Sequence, residues 1–432
     1  MAEKTMQNDG KFSSGGSGAH MILLVCMLLY MVNYMDRQVL SAVQEVMKAD
    51  LGLSDTQAGT IQTVFLMSIA LCSLPIAFAA DRWSRRKALG IMALIWSGFT
   101  FITGLGRSFL GVLFPRMIVG VGEAGFAAAG TAMITGAYPE QVRGRVLGVF
   151  NLAIPLGSAA GVVLGGYLSV HCGGWRTPFY VFAIPGVLLG VCAFFLRDYK
   201  TVRELDEEGR QKNFFSSALS LFRIPTLKWL YIGYGMMQIM VFSFLVWGPA
   251  FIMRSHGVRE DKAGLLVGLI GIMAIFGALA GGFLADWWQK RNPRGRMMLA
   301  ALTISLASVS LLFAYLLELK GPGLVMGILF GVFAVMSVPA LGAVTQDVVH
   351  PGQKSSVWGM AILAQYVLGG AWGPVIVGAI SDYLGGGAAG LQVALTLASC
   401  CGLLAGLFYW ISSRHYAADA ERVKGACLEA EK

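Results

Sequence analysis

Apolar residues in this chain come in long, nearly unbroken runs. They do not alternate as in strands, nor do they recur along one face of otherwise polar helices. A helix needs roughly 20 apolar residues to cross a hydrocarbon core about 30 Å thick. Runs of that length repeat almost from end to end. They predict spans at 20–47, 57–80, 87–106, 110–138, 143–171, 175–197, 226–255, 260–288, 296–319, 321–349, 353–384 and 388–412. One long charged stretch interrupts them inside the chain, 198–225, containing DYKTVRELDEEGRQKN. The pattern therefore predicts an all-α membrane protein of twelve transmembrane helices. A six-helix bundle at 20–197 is joined by a linker to a second at 226–412, with a tail over 413–432. Residues 1–19, with SSGGSG, are polar and expected to be disordered.

Composition narrows the class. The 432 residues are 56% hydrophobic and 13% charged, with a mean hydropathy of +0.66. That leaves too little polar surface for a soluble domain, and it argues against nucleic-acid binding despite a net charge of +9. The 56 glycines suit helices that pack closely in lipid. Seven cysteines form no spaced framework and read as packing residues, without disulfide or metal. No GxxxxGK[ST] loop and no nucleophile–base pattern occurs, so neither an ATP-driven pump nor an enzyme is expected, and no cofactor is implied. Of the 33 basic residues, 24 fall on the side of the two termini, seven fall in the opposite loops, and Arg37 and Arg116 fall inside spans. The positive-inside rule places both termini in the cytoplasm, in a bacterial inner membrane.

The chain also repeats itself. At an offset of 205, Gly52 meets Gly257, Ala58-Gly59 meets Ala263-Gly264, Asp81 meets Asp286, and Arg86 meets Arg291. Further on the offset is 212: Pro139 meets Pro351, and Gly157, Gly161 and Gly166 meet Gly369, Gly373 and Gly378. A duplicated six-helix unit is the signature of transporters whose halves rock about a site near the bilayer midplane. Against that background four buried-range charges stand out: Asp36 and Arg37 in the first span, Arg116 and Glu123 in the fourth. Their counterparts in the second half are Val241, Phe242, Ile328 and Val335, so the scaffold does not require them. A charge at membrane depth costs several kcal/mol unless paired or hydrated, which makes all four functional candidates. A structural network locking two helices is the other reading, and the two are compatible. Asp36 and Glu123 are candidate proton carriers, because burial disfavours a carboxylate while a nearby arginine favours it. Arg37 and Arg116 are candidates for an anionic group. Asn33, Tyr34, Asn151, Gln238, Phe242, Trp247, Gln365 and Tyr366 are further candidates for lining the binding site.

These features resemble the major facilitator superfamily. Asp81-Arg82-x-x-Arg85-Arg86-Lys87 is similar to its loop signature, echoed by Gly282-x-x-x-Asp286-x-x-x-Lys290-Arg291, although Ala77 and Ser84 stand where glycines are usual. The resemblance implies that the first and fourth helices face each other. Asp36–Arg116 and Arg37–Glu123 pairings are then expected. It also implies a gate in which, when the cytoplasmic side is closed, Asp81, Arg82, Arg85, Arg86, Asp286, Lys290 and Arg291 engage opposing helix ends or loops, with Arg143 and Arg145 as candidate partners. Tyr34-Met-Asp36-Arg37, Arg116 through Glu123-Ala-Gly, Tyr138-Pro139, Phe150-Asn151 to Gly157 and Gly174-Trp175-Arg176 resemble the spinster branch. That likeness implies proton-coupled, alternating-access transport of an amphipathic anionic lipid of lysophospholipid or sphingosine-phosphate type, by a monomer in the bilayer. An organic-anion (sugar acid) or drug transporter is the alternative. A non-transporting receptor or passive scramblase is more remote.

Overall fold

The computed structural model describes residues 17–197, 221–350 and 354–430, with the side chains of 17, 77, 78, 80–82, 140, 141, 354–356 and 424–430 set aside. All secondary structure among the described residues is helical. Eleven helices are long and apolar enough to cross a bilayer: α1 (Gly18–Leu51), α2 (Asp55–Ile76), α3 (Arg85–Gly104), α4 (Phe109–Ala137), α5 (Val142–His171), α7 (Pro225–His256), α8 (Glu260–Gln289), α9 (Gly295–Leu316), α10 (Pro322–Asp347), α11 (Val357–Tyr383) and α12 (Gly387–Val423). The twelfth, α6 (Thr177–Ala193), has 17 residues and makes the shortest crossing. An even number of crossings puts both termini on one face, called here the terminal face. Large apolar side chains such as Phe283 (72% exposed), Leu279 and Phe195 point outward. That surface is suited to hydrocarbon, where every backbone polar group must be satisfied within the helices.

Four spans are interrupted, at positions the repeat relates. Span α4 breaks after Glu123 and resumes at Phe126 with Gly125 as its cap. Span α10 breaks after Met336 at Ser337, which is Gly125 advanced by 212. Span α5 breaks at Leu152, and α11 passes through a wider π-helical turn, Tyr366–Gly370, close to the equivalent place. The π turn carries Tyr366, and the α4 break directly follows Glu123. Three of the four irregularities thus lie beside candidate site residues, Glu123, Asn151 and Tyr366.

Lipid supplies no hydrophobic force between helices, so close backbone approach carries much of their association. Gly157 on α5 lies where a Cβ would be 2.4 Å from the Met31 carbonyl oxygen of α1, and Gly369 on α11 where one would be 1.9 Å from that of Gly235 on α7. The same crossing is thus built twice.

The last helix departs from expectation. It does not give way to a tail at 413 but continues to Ala430. Asp419, buried on that extension, accepts hydrogen bonds from the Thr226 backbone N–H (3.1 Å) and hydroxyl (2.7 Å). It thereby caps the first turn of α7, whose N–H groups have no helical partner. Hydropathy marks where a helix leaves lipid, not where it ends, which is why the sequence pattern stopped short.

Replacing Gly157 by leucine should cost about 1–3 kcal/mol of stability through overpacking. Gly148, on the same span with nothing near its missing Cβ, should accept leucine with little loss. Thermal unfolding in detergent reads the difference, and equal losses would refute the packing account.

Candidate functional site

The four membrane-depth charges form two pairs between α1 and α4. Arg116 Nη1 lies 3.2 Å from Asp36 Oδ1, and its two Nη atoms also reach the Asp36 carbonyl oxygen at 3.4 and 3.3 Å. The Thr100 hydroxyl of α3 donates to Asp36 Oδ2. The Arg116 guanidinium lies 4.4 Å from the centre of the Phe65 ring of α2. Arg116 is wholly buried and Asp36 nearly so. This pair ties four helices of the first half together and leaves Arg116 no surface for a ligand. In this arrangement its two Nη atoms are held by α1 and its face is covered by an aromatic ring, while its buried Nε has no hydrogen-bond partner.

The second pair differs. Arg37 Nε donates to Glu123 Oε2 at 2.8 Å, with the Arg37 side chain 14% exposed and that of Glu123 fully covered. Arg37 stacks on Tyr34 (4.7 Å) and extends Nη1 to the Tyr366 hydroxyl in the other half, at 3.5 Å. Glu123 Oε1 and both amide atoms of Asn33, one turn before Arg37, have no hydrogen-bond partner in the protein. Adjacent residues on one helix point about 100° apart, so Asp36 turns into the first bundle while Arg37 turns toward the interface between halves.

Facing Arg37, the second half presents a mixed surface. Tyr366 packs on Phe242 with ring centroids 5.4 Å apart. Gln238 and Gln365 bond to each other through their amides at 3.1 Å. Trp247 does not join them: it is fully buried and its indole N–H donates to the Pro374 carbonyl at 3.0 Å. It is corrected to a packing residue. Asn151 is exposed at the α5 break.

Away from this centre, the halves are locked on the face opposite the termini. Arg254 at the end of α7 grips Glu45 through Nε and Nη2, both at 2.7 Å, and Asp55 through Nη1 at 2.8 Å and Nη2 at 2.6 Å. Lys48 also bonds Asp55. Asp382 of α11 accepts from the backbone N–H groups of Asp55 (3.0 Å) and Thr56 (2.7 Å), capping α2 from across the interface. Two contacts here are related by the repeat. Ser381 donates to Asp55 at 2.6 Å, and Ser169 to Glu260 at 3.0 Å. Gly378 and Gly166, at matching positions, lie against the carbonyls of Asp55 and Glu260. Sequence reading missed this lock, because charges near helix ends give no sign of whether they meet water or each other. The signal available was the register itself, in which Asp55 meets Glu260 and Ser169 meets Ser381.

On the terminal face, opposite the locked side, Asp286 pairs within its own half. Asp286 bonds Arg296 (2.8 Å), which also holds Asp347 (2.7 Å), and Tyr416 donates to Asp347. The short turn from α8 to α9 brings Arg296 within easy reach, whereas Arg143 and Arg145 would have to cross between halves. Arg143 donates to the Tyr138 carbonyl, and Arg145 is exposed. Arg85 and Arg86 open α3, where Arg86 donates to the Leu196 carbonyl. Arg291 stacks on Trp287, and Lys290 is exposed beside it. The side chains of Asp81 and Arg82 lie outside the described residues.

Two repeated six-helix bundles, locked at one face and holding charges at mid-depth, define a secondary transporter. The chain belongs to the Major Facilitator Superfamily, whose family model matches residues 26–374. It is 24% identical over 95% of its length to protein spinster homolog 1 of Xenopus tropicalis, covering 84% of that protein. It is 29% identical over 91% of its length to an MFS-type efflux pump of Mycolicibacterium smegmatis, covering 92% of it. The crystal structure of a bacterial homolog to the human lysosomal transporter Spinster, in an inward-facing and unoccupied conformation, superposes with a TM-score of 0.83 at 22% identity, over 94% of this chain and 99% of that one. The motif-level likeness to the spinster branch thus extends over nearly the whole chain, and the chain is a transporter, not an enzyme.

Removing one member of the Asp36–Arg116 pair leaves a buried charge alone, which costs about 3–5 kcal/mol. Asp36→Ala and Arg116→Ala should each destabilise strongly, and the double variant by much less than their sum. Additive losses in detergent unfolding would dissolve the pair as a unit. Arg254→Gln should open the locked face: spin labels at Arg107 and Ala389, on a cysteine-free background, should show a longer-distance population absent from the parent. An unchanged distance distribution would assign the closure to the glycine contacts alone.

Proposed function

We propose that the chain is a proton-coupled transporter of an amphipathic anion of the lysophospholipid or sphingosine-phosphate type. It works in a bacterial inner membrane, as a monomer with both termini in the cytoplasm. The observation that carries this reading is the Arg37–Glu123 pair: buried, close to the interface between halves, and touching Tyr366 of the other half through the same arginine. Protonation of Glu123 neutralises the carboxylate that holds Arg37. The freed guanidinium then offers its fork of donors to a phosphate or carboxylate headgroup. Deprotonation restores the internal pair and expels the anion. Proton and headgroup are linked because they compete through one side chain.

The roles divide between the two pairs. Asp36, fixed by Arg116 and Thr100, positions α1 and carries a second titratable charge. Gln238 and Gln365 supply neutral hydrogen-bonding groups, and Phe242 and Tyr366 an apolar surface for the chain of the substrate. The lack of charge on this wall favours a lipid tail over a compact polyol. Likeness to an efflux pump at 29% identity supports the second reading, a drug or organic-anion transporter using the same pair. In either case the lock at Arg254 must release for the site to reach the opposite face. The terminal-face cluster of Asp286, Arg296 and Asp347 braces the second half while it moves.

The test is uptake of a lysophosphatidylglycerol probe into proteoliposomes with and without an imposed pH gradient. Glu123→Gln should retain binding and exchange but lose the response to the gradient. Arg37→Ala should lose headgroup binding by about tenfold or more, as a charge-assisted bond worth 1.5–3 kcal/mol predicts. Should Asp36→Asn and Glu123→Gln both keep gradient-driven uptake with an unaltered pH profile, coupling lies elsewhere. Stabilisation by sugar acids but not lysolipids would favour the second reading.

A further inference from the structure

The surface of the second half facing lipid carries a groove of about 430 Å³ between α9 and α12, floored by Met298, Ser305 and Gly406, with Leu407 along its side and Trp288 and Trp410 at one end. Its orientation follows from the helices. Span α9 starts at the terminal face, so Met298 and Ser305 lie progressively deeper along it. Span α12 ends there, so Trp410 is nearer the rim than Gly406. The tryptophan end therefore sits at the interfacial level where such rings settle, and the rest runs inward beside hydrocarbon.

The rim at that end is cationic. The Arg414 guanidinium lies 4.0 Å from the Trp410 ring centre, and Arg291 lies 4.1 Å from that of Trp287, the neighbour of Trp288. Both arginines are exposed, and neither has a carboxylate partner among the described residues. The acid at this end, Asp286, is taken by Arg296. An arginine resting on a tryptophan keeps its outward N–H donors free, which suits a phosphate bound from the bilayer side.

We infer that this groove is a binding site for an anionic phospholipid of the leaflet on the terminal face. One acyl chain lies along Ser305 and Gly406, and the phosphate rests on Arg414. Bulk lipid would cover any apolar face, but two features select this occupant: a slot that accepts a single chain, and unpaired cations placed where its headgroup emerges. The site is remote from Arg37 and Glu123, so its lipid is a resident of the fold and not cargo. It bridges α8, α9 and α12.

The probe is dioleoylphosphatidylglycerol titrated onto delipidated full-length protein, followed by native mass spectrometry, with dioleoylphosphatidylcholine in parallel. The parent should retain one phosphatidylglycerol in preference to phosphatidylcholine. Arg414→Gln should weaken that retention about fivefold, from the roughly 1 kcal/mol each interfacial arginine contributes. Ser305→Phe, which fills the slot from a lipid-facing position, should abolish it while the protein stays monodisperse. Arg37→Ala should leave it unchanged. Equal retention of both lipids, or retention indifferent to Arg414→Gln and Ser305→Phe, overturns the site. Loss in Arg37→Ala alone places the bound lipid in the central site and equally overturns it.

Discussion

Close approach of one helix backbone to another carbonyl is the contact on which the rest of this molecule depends. Within each half it seats α5 on α1 and α11 on α7, through Gly157 and Gly369. Between halves it seats α5 on α8 and α2 on α11, through Gly166 and Gly378. A backbone–backbone seat has little give, because no rotamer can absorb a misfit. Rigid bundles and a sharply defined interface follow. A motion that exchanges accessibility between faces must then move bundles as bodies, breaking the second set of contacts while keeping the first.

Charge is laid on this symmetric frame unsymmetrically. The breaks in α4 and α10 fall in register, yet only α4 carries an acid beside its break. Asp55 and Glu260 occupy matched positions under matched serines, yet only Asp55 is gripped by an arginine from the other half. Duplication supplied the geometry, and one copy acquired the chemistry. The second half, left neutral at the centre, offers aromatic and amide surface to whatever Arg37 holds.

Much of this was legible in the sequence, and what was not has a physical reason. Uniform apolar runs located the spans because hydrocarbon imposes the same length on every crossing. The offsets of 205 and 212 revealed the duplication, and the same offsets isolated Asp36, Arg37, Arg116 and Glu123 as additions to it. The pairing within that group followed from helix geometry once α1 and α4 faced each other. Residue type does not report which way a side chain turns: Arg116 and Trp247, expected at the binding site, both turn into packed interiors. The lock around Arg254 was hidden because charges at helix ends look alike whether they meet water or each other. The local pairing of Asp286 with Arg296 was hidden because the α8-to-α9 turn, which brings them together, leaves no mark in the repeat register.

Asp419 gives the second half a closed perimeter. By accepting from the first turn of α7, it fastens the final helix of that bundle to its opening helix, with Ser412 adding a bond to the Thr226 carbonyl. A ring of helices clasped at its own seam needs no outside strand to hold its circumference. The same clasp sets where the polypeptide can be trimmed: the end of hydrophobicity at residue 412 is seven residues short of the carboxylate that keeps the seam shut.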